Sequence, residues 1–186
     1  MDKGKIAIRG VLCALTGGIL WGFSGTCTQF LVTVYQMPAA YISWVRMTVA
    51  GLLLMILMLM KERAKLIAML HDRKTVVQLI IYAIVGIALG QYAYTSCTRY
   101  TDAGTATMLQ CIGIVALIAF TCVRGRKAPK RIELIATAMA LIATYLIATQ
   151  GDPTSLSLPL AGLVWGLLNA LSNAFFAGYP DKLLDK

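Results

Sequence analysis

Gly18-Ile19-Leu20-Trp21-Gly22 recurs as Gly162-Leu163-Val164-Trp165-Gly166, 144 residues later, and each copy lies within a long apolar run. A short pattern at equivalent points of two such runs predicts an internal repeat, the feature that most changes how a chain is read. A chance match between two Gly- and Trp-bearing helices is the competing explanation. Working outward from the two copies, six apolar runs cover approximately Gly10–Val34, Ala39–Met60, Thr75–Cys97, Thr105–Val123, Ile132–Ala148 and Leu158–Tyr179. A hydrocarbon core about 30 Å thick needs about 20 apolar residues per crossing helix. The runs are continuous rather than alternating, which argues against a membrane β-barrel. The predicted fold is an all-α polytopic membrane protein of six transmembrane helices. Residues 1–150 form one five-helix unit and residues 151–186 open a second.

Composition agrees with this reading: 59% of the 186 residues are hydrophobic and 13% are charged, against about 25% charged in soluble domains. The net charge of +9 is distributed by topology. Fifteen of the seventeen basic residues lie before the first run, between the second and third, between the fourth and fifth, or after the sixth. The opposite loops hold only Arg99 among basic residues, with Asp102 and Asp152. By the positive-inside rule, this places both termini in the cytoplasm of a multi-pass plasma-membrane protein. No aromatics interleave the basic clusters, so nucleic acid is not an expected partner. The lipid bilayer is, and the basic loops suit anionic headgroups. The first apolar run is too long for a cleaved signal peptide and reads as a retained anchor.

Five crossings separate the starts of the two Gly-x-x-Trp-Gly segments, so the two units are inverted with respect to each other. Inverted repeats are a recurring plan of secondary transporters, with substrate bound near the midplane between repeats. Punctuation fits the segment limits. Pro38 suits a helix start, Gly151-Asp152-Pro153 marks a turn, and Ser157-Leu158-Pro159 resembles a helix cap. The loop Lys61–Lys74 carries Leu66, Ile67, Met69 and Leu70, the makings of a short amphipathic helix at the interface.

The chain resembles the EamA-type family of the drug/metabolite transporter superfamily. The resemblance is carried by Gly18–Gly22, Pro38, Arg46, Gln91-Tyr92-Ala93-Tyr94, Tyr100–Thr107, Gly151-Asp152 and Gly162–Gly166. It implies a ten-helix protein built from two five-helix inverted repeats that exports or exchanges metabolites and other small organic solutes. Family members often place a proline near the position of Ile114 and an acidic residue where this chain has Arg124-Gly125-Arg126-Lys127. The resemblance also implies four more helices, so the expectation is an incomplete chain of a secondary transporter, ion-coupled or facilitated. The alternatives are a non-transporting scaffold or inactive fragment, and a half-transporter that acts as a homodimer.

Candidate substrate-binding residues follow from the cost of polar groups in lipid. Arg46 lies about 10 Å into the second segment at 1.5 Å per residue. A charge at a helix centre costs at least about 2.5–3.5 kcal/mol, so Arg46 anchors an anionic substrate group, or snorkels or bonds to carbonyls near the outer surface. Gln91 and Tyr94 share a helix face, Gln110 lies in the fourth segment, and Asn169 and Asn173 lie one turn apart in the sixth. Such amides cross-link helices or line a passage. Trp21 and Trp165 sit inside their segments, where each indole N–H wants a partner, and Ser24 completes the set. The pairs Gly18/Gly22, Gly86/Gly90 and Gly162/Gly166 allow close helix approach. Cys13, Cys27, Cys97, Cys111 and Cys122 are odd in number without metal spacing and are expected to be buried free thiols. No catalytic constellation, phosphate-binding motif, metal site or cofactor motif stands out, so no enzyme is expected.

Overall fold

The computed structural model describes residues 3–125, 131–149 and 158–179, and among them every regular element is helical. The elements are α1 (Lys3–Thr33), α2 (Ala39–Lys61), α3 (Arg63–His71), α4 (Arg73–Ile81), a π-helical segment (Tyr82–Ala88), α5 (Leu89–Tyr100), α6 (Ala103–Gly125), α7 (Arg131–Thr149) and α8 (Leu160–Gly178). Among the described residues, four spans are long and apolar enough to cross a membrane: Gly10–Thr33, Ala39–Lys61, Arg73–Tyr100 and Leu160–Gly178. Ala103–Ile118 is a shorter apolar fifth. The expected turn at 151–157, the basic loop at 126–130 and the tail after Tyr179 lie outside the described residues.

Helix limits follow local chemistry. Gln36 adopts a left-handed φ of 53° between α1 and α2, and its side-chain amide donates to the Thr33 carbonyl at 2.7 Å. Pro38, extended at φ −60°, then starts α2. The 61–74 loop does form a helix, α3, whose Leu66 is buried. Asp72 caps α4 by accepting from the Lys74 N–H at 3.1 Å. Asp102 caps α6, accepting from the Thr105 N–H at 2.9 Å and from its hydroxyl. Replacing Asp102 with alanine removes this cap and is expected to cost about 0.5–2 kcal/mol, measurable by thermal unfolding in detergent. An unchanged midpoint would show that the Gln29 side chain, 3.0 Å from the Ala103 N–H, holds this end alone.

α8 packs against α5, the π-helical segment and α6, while α1 and α2 also pack on α5. The share of each span that is buried reflects this: 28% for α8 against 6% for α1 and 11% for α2. Tyr94, Cys97, Ala106 and Leu109 form the buried centre, with Ile112, Leu163 and Trp165 around it. Small residues permit the closeness, as expected where lipid offers no hydrophobic drive and packing must hold helices together. A methyl group on Gly113 would lie 2.2 Å from the Ala170 carbonyl oxygen, and one on Gly166 would lie 2.4 Å from Leu109 Cδ1. A methyl group on Gly18 or Gly22 would meet nothing within 4 Å beyond its own helix backbone. The two copies of the repeated motif therefore meet opposite surroundings, and among the described residues only the second is a packing face.

Three threonine hydroxyls buried in these spans are satisfied by their own helices. Thr28, Thr95 and Thr98 donate to the carbonyls of Ser24, Gln91 and Tyr94 at 2.8–2.9 Å, as lipid requires. Ser43 of α2 reaches Thr95 at 3.1 Å and joins α2 to α5. All five cysteines are free thiols, but only Cys97 is buried; Cys13 and Cys27 are exposed. Cys97 donates to the Gly162 carbonyl at 3.3 Å, a further link from α5 to α8. The expectation of buried cysteines fails on α1, where Cys13 and Cys27 are both exposed, Cys27 beside the space between α1 and α2.

Candidate functional site

Seven of the nine candidate residues converge on one cavity of about 270 Å³: Trp21, Arg46, Gln91, Tyr94, Gln110, Asn169 and Asn173. They come from α1, α2, α5, α6 and α8, so no single element forms the site. Its remaining wall is made by Gly25, Gly86, Ile87, Gly90 and Phe176; of these, the sequence pointed only to Gly86 and Gly90, as a pair for close helix approach. Three of these are glycines whose role is the space they leave. At Gly25 a methyl would sit 2.9 Å from the Tyr94 hydroxyl, and at Gly90 one would sit 3.1 Å from Ser172 Oγ.

Trp165 lies outside the cavity. Its ring stands edge-on to Tyr92, with centroids 5.2 Å apart, and it packs on the Tyr94–Leu109 centre. Opposite faces of α5 carry Tyr92 and Tyr94, so the indole of α8 meets the wrong one for a cavity role. Ser24 is also absent from this wall. It lines a second cavity of about 340 Å³ beside Cys27, Thr28, Leu31 and Tyr41. Arg46 borders both cavities.

Among the described residues, Arg46 is the only charged one in either lining. Its guanidinium donates to Ser24 Oγ at 2.9 Å and to Thr28 Oγ1 at 3.1 Å. These hydroxyls lie one turn apart on α1, so a single planar fork bridges both. The amides sit across the cavity, with Asn169 Nδ2 3.5 Å from Gln110 Oε1, at the limit of a hydrogen bond. Tyr94 OH lies 3.3 Å from Thr107 Oγ1. Among the described residues, no three His, Cys, Asp or Glu side chains cluster as a metal site would need.

Gly86 and Ile87 of the cavity wall belong to the π-helical segment, which no sequence pattern announced. A π turn has one more residue than an α turn and is rare outside short insertions at functional sites. Here Ser172 of α8 donates to the carbonyls of Val85 and Gly86, the latter at 3.2 Å. A side chain from a neighbouring helix thus supports the widened ladder. Tyr82, at the start of the segment, stacks on Phe176 and Tyr179 at 5.4 and 5.9 Å. A serine alone in α8 carries no signal of this partnership, because its acceptors lie 86–87 residues away.

A family model described as the EamA-like transporter family matches residues 8–149. The "uncharacterized inner membrane transporter YicL" of Salmonella typhimurium is 32% identical over 176 residues, which cover 95% of this chain and 58% of that protein. The chain thus spans less than two thirds of that relative's length. No solved structure matches the chain.

Proposed function

The chain belongs to the EamA-like transporter family, and we propose that it supplies the substrate cavity of a secondary transporter that exports a small organic solute across the plasma membrane. Transport is facilitated or ion-coupled, with both termini cytoplasmic and six crossings in this chain. Residues 1–150 make the first repeat, and 151–186 open an inverted second. The observation that carries the reading is the cavity: polar side chains from α1, α2, α5 and α6 meet Asn169 and Asn173 of α8, the helix assigned to the second repeat. A site at the junction of repeats is where alternating access places its substrate. Its volume of about 270 Å³ lies just below the ~300–1,000 Å³ usual for small-molecule sites, which favours a small solute.

Proteoliposomes loaded with a defined mixture of organic acids, amino acids, nucleosides and polyamines test this. At least one solute is expected to leave protein-bearing vesicles faster than empty ones, read by mass spectrometry of the external medium. Equal leakage of every solute would favour the non-transporting scaffold.

A further inference from the structure

We infer that the solute is a small organic anion and that Arg46 holds its negative group; this rests on the cavity being the transport site proposed above. A guanidinium within a membrane span is costly unless something offsets its charge. The protein supplies position without neutralisation. Ser24 and Thr28 are neutral hydroxyls, and Thr28 commits its own proton to the Ser24 carbonyl at 2.8 Å, so toward Arg46 it can only accept. Among the described residues Arg46 makes no ion pair. The fork is held in place with its charge left for another partner, and its paired N–H groups match the two oxygens of a carboxylate.

The rest of the lining is consistent with the same class of solute. Gln91, Gln110, Asn169 and Asn173 offer amides that donate or accept, and Trp21 offers an aromatic wall. With no carboxylate among the described lining residues, an ammonium group finds nothing there to neutralise it and meets Arg46 as a like charge. A neutral solute leaves the guanidinium uncompensated. Position adds to the argument, because Arg46 borders both the 270 Å³ cavity and the 340 Å³ one. A carboxylate bound there competes with Ser24 and Thr28 for the same donors at the boundary between the two spaces.

The chain in phosphatidylcholine nanodiscs, exposed to the same defined solute mixture, washed and analysed by mass spectrometry, decides the matter. The retained solutes are expected to be carboxylates, with retention falling at least tenfold in Arg46→Gln and less in Arg46→Lys. The variant Ser24→Ala/Thr28→Ala keeps the charge but releases the fork, so its retention is expected to fall less than that of Arg46→Gln; a fall as large would overturn the assignment of the charge as the recognition element. Retention of neutral or cationic solutes overturns the anion assignment while leaving a solute-binding cavity intact, and this readout from the unaltered chain stands even where Arg46→Gln does not fold. Equal retention by a folded Arg46→Gln also overturns it. Displacement of all carboxylates by inorganic phosphate, or by phosphatidylglycerol in the disc, would assign Arg46 to a free or lipid phosphate instead. Failure to retain any solute, with equal vesicle leakage, removes the transport reading itself.

Discussion

Gly113→Ala is expected to lower the melting temperature of the chain by several degrees, whereas Gly22→Ala leaves it unchanged or raises it. Both glycines lie inside helices, where alanine is intrinsically better by about 1 kcal/mol. Helix propensity alone therefore predicts stabilisation at both sites. At Gly22 nothing lies within 4 Å of the added methyl, and that gain is free to appear. At Gly113 the methyl would lie 2.2 Å from the Ala170 carbonyl oxygen and 3.0 Å from its carbon. This obstacle is backbone in α8, so no rotamer change relieves it and the two helices must separate. Overpacking of this kind costs about 1–3 kcal/mol or more, and each kcal/mol shifts the midpoint of a chain this size by about 2–4 °C. Gly166→Ala should fall between the two, since its obstacle is the Leu109 side chain, 2.4 Å away and fully buried. Thermal unfolding in one detergent compares all three. Equal destabilisation at Gly113 and Gly22 would mean that α6 and α8 do not touch as described.

Ending the chain after Thr149, so that α8 is lost, is expected to leave α1–α7 aggregated or polydisperse on size exclusion. The reason lies in what α8 covers. Ala93, Cys97, Ala106 and Leu109 are 0–1% exposed, and Leu163 and Trp165 pack around this centre. Lipid could cover the apolar part of that surface. It cannot replace the polar links, because a hydrocarbon solvent offers no hydrogen bonds. The Ser172 donor to the π-helical carbonyls, the Gly162 acceptor for Cys97 and the Asn169 partner of Gln110 all disappear together. The cavity loses one wall. A monodisperse shortened protein with unchanged helicity per residue and unchanged melting would overturn this role for α8.

These two experiments probe different layers of what the chain encodes. Spans were legible because the bilayer imposes length: a run of about 20 apolar residues has few other uses. Ala39–Met60 and Leu158–Tyr179 were placed within two residues of α2 and α8, with Pro38 and Pro159 marking their starts. The third segment, read as one helix over Thr75–Cys97, covers most of Arg73–Tyr100 but hides the π-helical turn. That widening depends on Ser172 and on Phe176, residues of a distant helix. The polar candidates were legible for a related reason. An amide or guanidinium in lipid must meet a partner or a cavity, so Arg46, Gln91, Gln110, Asn169 and Asn173 could be named from position alone. Which partner each meets could not be named.

The repeated Gly-x-x-Trp-Gly shows where the boundary falls. By itself the sequence determined that both copies lie in membrane helices, because that depends on local apolarity and length. Only the tertiary structure decided that Trp21 faces the cavity beside open lipid, while Trp165 packs edge-on to Tyr92. It likewise decided that Gly166 is pressed against Leu109 and Gly22 against nothing. The physical reason is that a helix presents every face, and identical residues acquire different roles from the neighbours that cover them.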